Sequence, residues 1–466
     1  MFGLATLLFT YRLDNIPSGV YSDEAVVGYN AWSILNNGRD ENGGNRPILF
    51  RFFGTYTPGL MVYLQTIPIK LFGLNSWSIR LLSVVFMLVL VGILYKFFGK
   101  LAALLLILSP WVVFNARLGY ETTVAMVLTM VGAMMYQNPI MSFGLLSLST
   151  YASFTSRYLV PLIFGLIVYI FYFNKKKLLK IKWAIILALI IQIPNLLLIS
   201  KPEFWSKSGS LTGNFLLQYA SYFSPANLFN RPDFDLQRSI PQSAVFQGWM
   251  FIPWTVGWYV CYKNRKNKYY QYLLGLILIS PIPAALANTN YSTQRALPIL
   301  FMYIILIYLG LDKISGYLGK KTRLILIICL TIFSLLMIWR SYFVLFPVER
   351  EGVWGGGYEQ LASFIKDNGE KHFVIDNSRG MPYANLEFYL QTNKTVNVEI
   401  RPIDWRNDIC KKQILVGDSL AISQNQVDEH LLTKVFEKKD SRNIILLQGY
   451  QTDPKRKCGI ETKGKR

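Results

Sequence analysis

Acidic residues are scarce in this chain: 27 Asp and Glu stand against 48 Lys and Arg in 466 residues, and charged residues of both signs make up 16% of it. A soluble domain carries about a quarter charged residues, so a well-solvated globule is excluded. Histidine is scarcer still. His372 and His430, the two in the chain, both lie near its C-terminal end, so the apolar part holds no imidazole for a metal centre. Cysteines number four. Cys261 and Cys329 sit in apolar stretches and read as inert filler, whereas Cys410 and Cys458 pair if the C-terminal part is exported and stay as thiols if it is not. No glycine-rich phosphate loop occurs, which argues against a nucleotide-sugar site, and no internal repeat is visible.

What is abundant is apolar: 52% of the residues are hydrophobic and 15% aromatic. Stretches such as 81–95, 183–199, 272–287, 297–311 and 324–339 approach the ~20 residues that a bilayer requires. They must be helices, because lipid offers no partner to an open backbone. The net charge of +21 follows the same division: up to Phe346 there are 29 basic residues against ten acids, and beyond it 19 against 17. The excess forms clusters, Lys175-Lys176-Lys177 with Lys180 and Lys182, Lys263 to Lys268, and Lys320-Lys321 with Arg323, that mark cytoplasmic loops. A nucleic-acid surface would interleave aromatics with such residues on a soluble face, so nucleic acid is excluded as a partner.

Counting between those loops gives about eleven spans. The first is a short apolar segment reaching from Met1 to Leu13, which lacks the basic region and small-residue site of a cleaved signal. The others fall near 80–98, 101–114, 122–136, 140–154, 158–173, 183–200, 246–262, 269–287, 296–311 and 324–346, while 58–72, with two prolines and Lys70, reads as a shallow interfacial helix. Nine of the ten acids before Phe346 then face outward: Asp14, Asp23, Glu24, Asp40, Glu41, Glu121, Glu203, Asp233 and Asp235. The expected organisation is a transmembrane catalytic domain over 1–346 and an extracytoplasmic soluble α/β domain over 347–466, in a multi-pass protein of the plasma (inner) membrane. In that domain helices are expected at 358–367, 386–391 and 427–436, and strands at 372–376, 414–416 and 444–447.

Two carboxylate pairs stand in the first outer loop. Asp23-Glu24 opens an amphipathic segment after the Pro17 and Gly19 turn, where acids favour a helix start, and Asp40-Glu41 follows beside Gly43-Gly44. A carboxylate at a membrane face can take the proton of an acceptor hydroxyl as a glycosidic bond forms; an N-cap is the plainer explanation. Arg117 and Glu121, four apart, are expected on one helical face. Arg157 and Arg295 stand at outer span ends, where they either snorkel or hold a lipid phosphate, whose oxygens match the guanidinium fork.

The run Ile16-Pro17, Asp23-Glu24, Gly28-Tyr29-Asn30-Ala31, Gly38, Asp40-Glu41, Gly43 and Pro47, then Tyr63, Pro68, Phe72-Gly73 and Arg80-Leu81, resembles the N-terminal half of the family 39 glycosyltransferases of GT-C fold, relatives of the protein O-mannosyltransferases and lipid A aminoarabinose transferases. Ser109-Pro110-Trp111, Arg117, Glu121, Arg157-Tyr158, Pro161, and Arg295 before Pro298 are similar to weaker family blocks. The resemblance covers the membrane region and fades after Phe346.

It implies an inverting transfer of a monosaccharide from a polyprenyl-phosphate carrier, a membrane lipid, to an acceptor left unidentified. Asp23 is then the catalytic base and Glu24 seats the acceptor. Asp40 and Glu41 shape the pocket, Arg117 and Glu121 stand near the sugar, and Arg157 and Arg295 face the phosphate. Glu121 stands where many members have Asp. No metal ligand is assigned, which leaves a divalent cation open as cofactor. The alternative from another class is a polytopic lipid or glycan transporter or flippase, whose ionisable groups belong near the bilayer midplane in broken helices of matching halves.

Overall fold

Asn75 starts the chain's longest helix by accepting from the Ser78 amide at 2.9 Å, and apolar residues then run almost unbroken. In the computed structural model, which describes residues 1–206, 214–287, 291–378, 380–391 and 397–454, this helix covers Ser76–Ile107 and breaks at Gly99, whose φ of 84° a residue with a side chain rarely adopts. Seven shorter helices surround it in sequence: α1 (Phe2–Thr10), α2 (Ser22–Asn37), α3 (Leu60–Phe72), then, after α4 itself (Ser76–Ile107), α5 (Pro110–Asn115), α6 (Thr122–Met134), α7 (Pro139–Ser149) and α8 (Phe154–Ile167). A hairpin of β1 (Leu49–Phe52) and β2 (Thr55–Pro58) separates α2 from α3.

Among the described residues, five helices are long and apolar enough to cross a membrane: Ser76–Phe98, Phe154–Tyr172, Lys268–Leu286, Gln294–Ser315 and Lys320–Glu349. Shorter apolar helices stand at Leu60–Phe72, Thr122–Met134, Pro139–Ser149 and Lys182–Leu198. The stretch expected as one span at 101–114 is divided between the end of α4 and α5, since Ser109 and Pro110 interrupt it. The first helix ends at Thr10 rather than Leu13, with Arg12 at a φ of 48°. Helices Phe251–Lys263 and Leu297–Ser315 meet backbone to backbone: a Cβ on Gly257 would overlap Leu306, and one on Gly310 would overlap Pro253. Small residues allow such an approach where lipid gives helices no hydrophobic reason to associate.

Beyond Phe346 the chain builds a five-stranded sheet, ordered β4 (Val398–Ile400), β3 (Phe373–Ile375), β5 (Ile414–Gly417), β7 (Ile445–Gln451), β6 (Thr433–Lys439). β3 is parallel to β4 and β5, and β7 is antiparallel to β5 and β6. The expected helix at 427–436 is corrected: Gln424–Glu429 is helical, Leu431 takes a φ of 53°, and Thr433 onward pairs with β7 as a strand. Val435 and Phe436, β-branched and aromatic residues half-buried at the sheet edge, outweigh a helical reading there. Cys410 is in a disulfide, Cys261 and Cys329 are free, and Cys458 lies outside the described residues. Trp354, Ala384 and Phe388 belong to the same buried core as the helices, so the sheet-bearing part is joined to the helical body by packing.

Candidate active site

Pro17 and Gly19 turn the chain so that α2 begins at Ser22 with Asp23 and Glu24 in its first turn. The turn is wrapped around a charge. Arg80, fully buried one turn into α4, donates from Nη1 to the carbonyls of Leu13 (2.9 Å) and Pro17 (3.2 Å), and from Nη2 to that of Gly19. Its Nε and Nη2 reach the two oxygens of Glu24 at 3.2 and 2.9 Å. Glu24, also fully buried, accepts further from the amides of Gly119 (2.6 Å) and Tyr21 (3.3 Å). Four protein donors therefore occupy its carboxylate. Glu24, expected beside an acceptor, instead fixes the loop that carries Asp23.

Asp23 is half-buried and faces the other way, toward tyrosines. Its charge, with those of Glu24 and Glu121, acts on the Tyr120 hydroxyl, which burial above all pushes up, so that Tyr120 stays protonated. Tyr120 in turn accepts from Gln294, the neighbour of Arg295. The half-buried Arg295 follows a loop anchored by Asp233, whose Oδ2 accepts from the Thr293 amide and hydroxyl at 2.9 Å each. One tyrosine thus gathers Asp23, Glu121 and the Arg295 loop from three segments. Tyr21 closes this side, its hydroxyl donating to Gln237 and its ring 6.4 Å from that of Tyr120.

Other expected residues fall elsewhere. Arg117 and Glu121 do not share a helical face: α5 ends at Asn115, Ala116 to Tyr120 form the connection, and Glu121 stands at the N-cap position of α6 without a side-chain capping bond. The fully buried Arg117 donates to the carbonyls of Leu8 (3.0 Å), Tyr11 (2.7 Å), Arg12 (3.3 Å) and Ile16 (2.9 Å), holding the C-terminal end of α1, where orphan carbonyls favour a cation. Asp40 accepts from the amides of Asn42 (3.0 Å) and Gly44 (2.6 Å) and shapes its own turn. Glu41 is pinned to α2 by Asn30, at 3.0 Å through both its amide and its carboxylate. Burial and the nearby Glu387 charge push its carboxyl up to about 8, and burial pushes Glu387 up to about 7.

Arg157 occupies a different wall. It lines a groove of about 610 Å³ between α7, α8 and the helix Lys182–Leu198, whose other lining is largely apolar, with Phe143, Phe164, Leu189 and Leu196 among it. Its Nε and Nη1 make long bonds to the carbonyls of Thr150 (3.4 Å) and Phe204 (3.3 Å), and its buried Nη2 has no partner among the described residues. A second cavity, of about 390 Å³, lies against Tyr21, Ser22 and Gln237 and shares no lining residue with the groove. Among the described residues, no three His, Cys, Asp or Glu side chains are grouped to hold a metal ion.

Sequence reasoning did not assign roles to Arg80, Tyr120, Gln237 or Glu387. A lone arginine inside an apolar span was a usable signal for the first; the rest depend on contacts between distant segments.

No protein-family model and no curated protein sequence matches the chain. Among solved structures it is similar to ArnT from Cupriavidus metallidurans in the apo state, with a TM-score of 0.58, 12% identity and 98% of each chain covered. ArnT bound to undecaprenyl phosphate matches with the same score and identity over 96% of each chain. A looser likeness to the archaeal oligosaccharyltransferase AglB from Archaeoglobus fulgidus has a TM-score of 0.44 and covers 86% of this chain and 64% of that one. At such identity the likeness speaks of architecture, and over nearly its whole length the chain has the GT-C fold of ArnT.

Proposed function

We propose that the protein is an inverting glycosyltransferase that moves a monosaccharide from a polyprenyl-phosphate carrier to an acceptor at the outer face of the membrane, with 1–346 as catalytic part and 347–466 outside. The observation that carries this reading is the Arg157 groove: an apolar channel holding a guanidinium nitrogen that no group among the described residues satisfies. A buried donor of that kind is costly unless a ligand completes it, and a lipid phosphate supplies both an apolar chain for the groove and an oxygen for Nη2. The shared fold of ArnT, solved with undecaprenyl phosphate, supports the carrier class.

In this reading Asp23 is the base. It accepts the proton of an acceptor hydroxyl while that oxygen bonds to the anomeric carbon and the bond from that carbon to the phosphate oxygen breaks, leaving the polyprenyl phosphate as an anion. Arg157 and Arg295 stabilise that anion. Glu24, through Arg80 and the Gly119 amide, is a positioning residue. The test is to incubate the purified protein with a series of polyprenyl-phosphate sugars and to measure free polyprenyl phosphate. Release from one donor above background is the expected result; no release from any donor overturns the proposal.

A further inference from the structure

The cavity beside Tyr21 has a second wall, supplied by the C-terminal sheet. β3 lies between β4 and β5, so the chain leaves β3 for one side, enters β4, and then crosses to β5 on the other. Where strand order reverses in this way, the two connections depart in opposite directions and open a crevice outside the carboxyl ends of the strands, the usual place for a ligand in such sheets. The cavity is that crevice. Ile375 and Asp376, at the end of β3, and Gly417 and Asp418, at the end of β5, line it. Its opposite wall is the first loop of the helical body, through Tyr21 and Ser22, the residue before Asp23.

Both carboxylates are held in place. Asp376 accepts from the Ser378 amide (3.1 Å) and hydroxyl (2.5 Å) and from the Ile403 amide (3.4 Å), while one oxygen of Asp418 accepts from the amides of Leu420 (3.0 Å) and Ala421 (2.7 Å). A carboxylate offers about four acceptor positions, and three are used in this way at Asp376. Tyr358, also in the lining, is pushed up to about 12 by burial above all and then by the charges of Asp418 and Asp376. Among the described lining residues there is no Lys or Arg. The crevice therefore offers fixed acceptors, a phenolic donor, and the rings of Tyr21 and Tyr358 as flat apolar surfaces.

We infer that this switch-point crevice is the acceptor subsite, taking the pyranose ring of a sugar with vicinal hydroxyls on Asp376 and Asp418 and presenting another hydroxyl to Asp23. The inference rests on the transferase reading for its role and on the crevice for its ligand. A volume of about 390 Å³ lies at the small end of the range for ligand pockets, suited to one or two sugar rings. An anionic group there would meet two fixed carboxylates, and a like-charge contact opposes binding.

The test uses the whole chain, purified in a detergent without a sugar headgroup, and saturation-transfer NMR with a set of methyl pyranosides as probes. At least one should give signals in the wild type and lose them in Gly380→Trp. Gly380 lines the crevice and a Cβ there meets nothing within 4 Å among the described residues, so the indole enters open space. Tyr358→Phe, which keeps the ring, should weaken the same probe about tenfold and raise the acceptor KM rather than lower kcat. Signals unchanged in both variants, or displaced by inorganic phosphate, overturn the inference, as does an acceptor that proves to be a peptide hydroxyl. Donor hydrolysis by the wild type without acceptor separates the two proposals. Hydrolysis with no pyranoside signal defeats the subsite alone; pyranoside binding that Gly380→Trp removes, in a protein that hydrolyses no donor, defeats the transferase reading and leaves the sugar site standing.

Discussion

Arg80 and Arg157 are both cations in apolar helices, and they are treated in opposite ways. Arg80 has a carboxylate and three carbonyls around it, all from one short loop and its helix. Arg157 has two long bonds, the face of Phe204 at 4.2 Å, and a nitrogen without a partner among the described residues. A buried charge with every valence met is a structural member, because removing either partner strands the other. One left incomplete beside an apolar channel is suited to a charged ligand. On the neighbouring carboxylates, Glu24 is held by four donors, while Asp23 is turned toward the tyrosines.

The sharpest way to break this contrast is Asp23→Asn. It should lower transfer by roughly 10² to 10⁴ while the protein still folds, the loss usual when a general base is removed; steady-state rates with the identified donor decide it, and a near-normal rate would show that the base was assigned to the wrong carboxylate. Arg80→Met should destabilise the protein by about 3 to 5 kcal/mol, since Glu24 would be left buried without its cation. A thermal melt in detergent that barely moves would remove Arg80 from its structural role. Arg157→Met should raise the donor KM about 10-fold to 100-fold with kcat little changed, because a phosphate contact exists in ground and transition states alike; an effect on kcat alone would put it outside donor binding.

The smallest effect belongs to Glu41. Its folded pKa, about 8, lies above the ordinary 4.5, and that of Glu387, about 7, is also raised. A carboxyl raised on folding keeps its proton in the folded state and loses it in the unfolded chain. Stability therefore falls as pH rises from the unfolded value through the folded one, and is flat beyond. Melting temperature should decline between about pH 5 and pH 8, and Glu41→Gln should make the decline shallower; an equal slope in wild type and variant would place its origin in other groups.

Local features were the legible ones. The turn at Pro17 and Gly19 announced the start of α2, and the amphipathic run at Tyr358–Asp367 announced its helix. Misreadings came where one backbone angle decided the outcome, as at Leu431, or where a spacing of four was taken for a helix that Gly119 and Tyr120 interrupt. The clamp of Glu24 by Arg80 joins residues 56 apart, and Glu387 approaches Glu41 across most of the chain. No periodicity carries such information, so Glu24 was read as seating an acceptor while its burial against Arg80 was not legible.

Gly19, at a φ of 126°, lies so close to Trp354 and Gly355 that a Cβ would overlap them, Ser18 donates to the Pro347 carbonyl, and Asn385 donates to that of Val20. These contacts set an order in time. The loop before Asp23 leaves the ribosome 329 residues ahead of Pro347, so its partners are made only after the intervening helices. A nascent chain halted after Phe346 should insert while this loop remains open to protease, and become resistant once residues through Asn385 are added. Synthesis itself then delays the closing of this loop until the last segment is delivered.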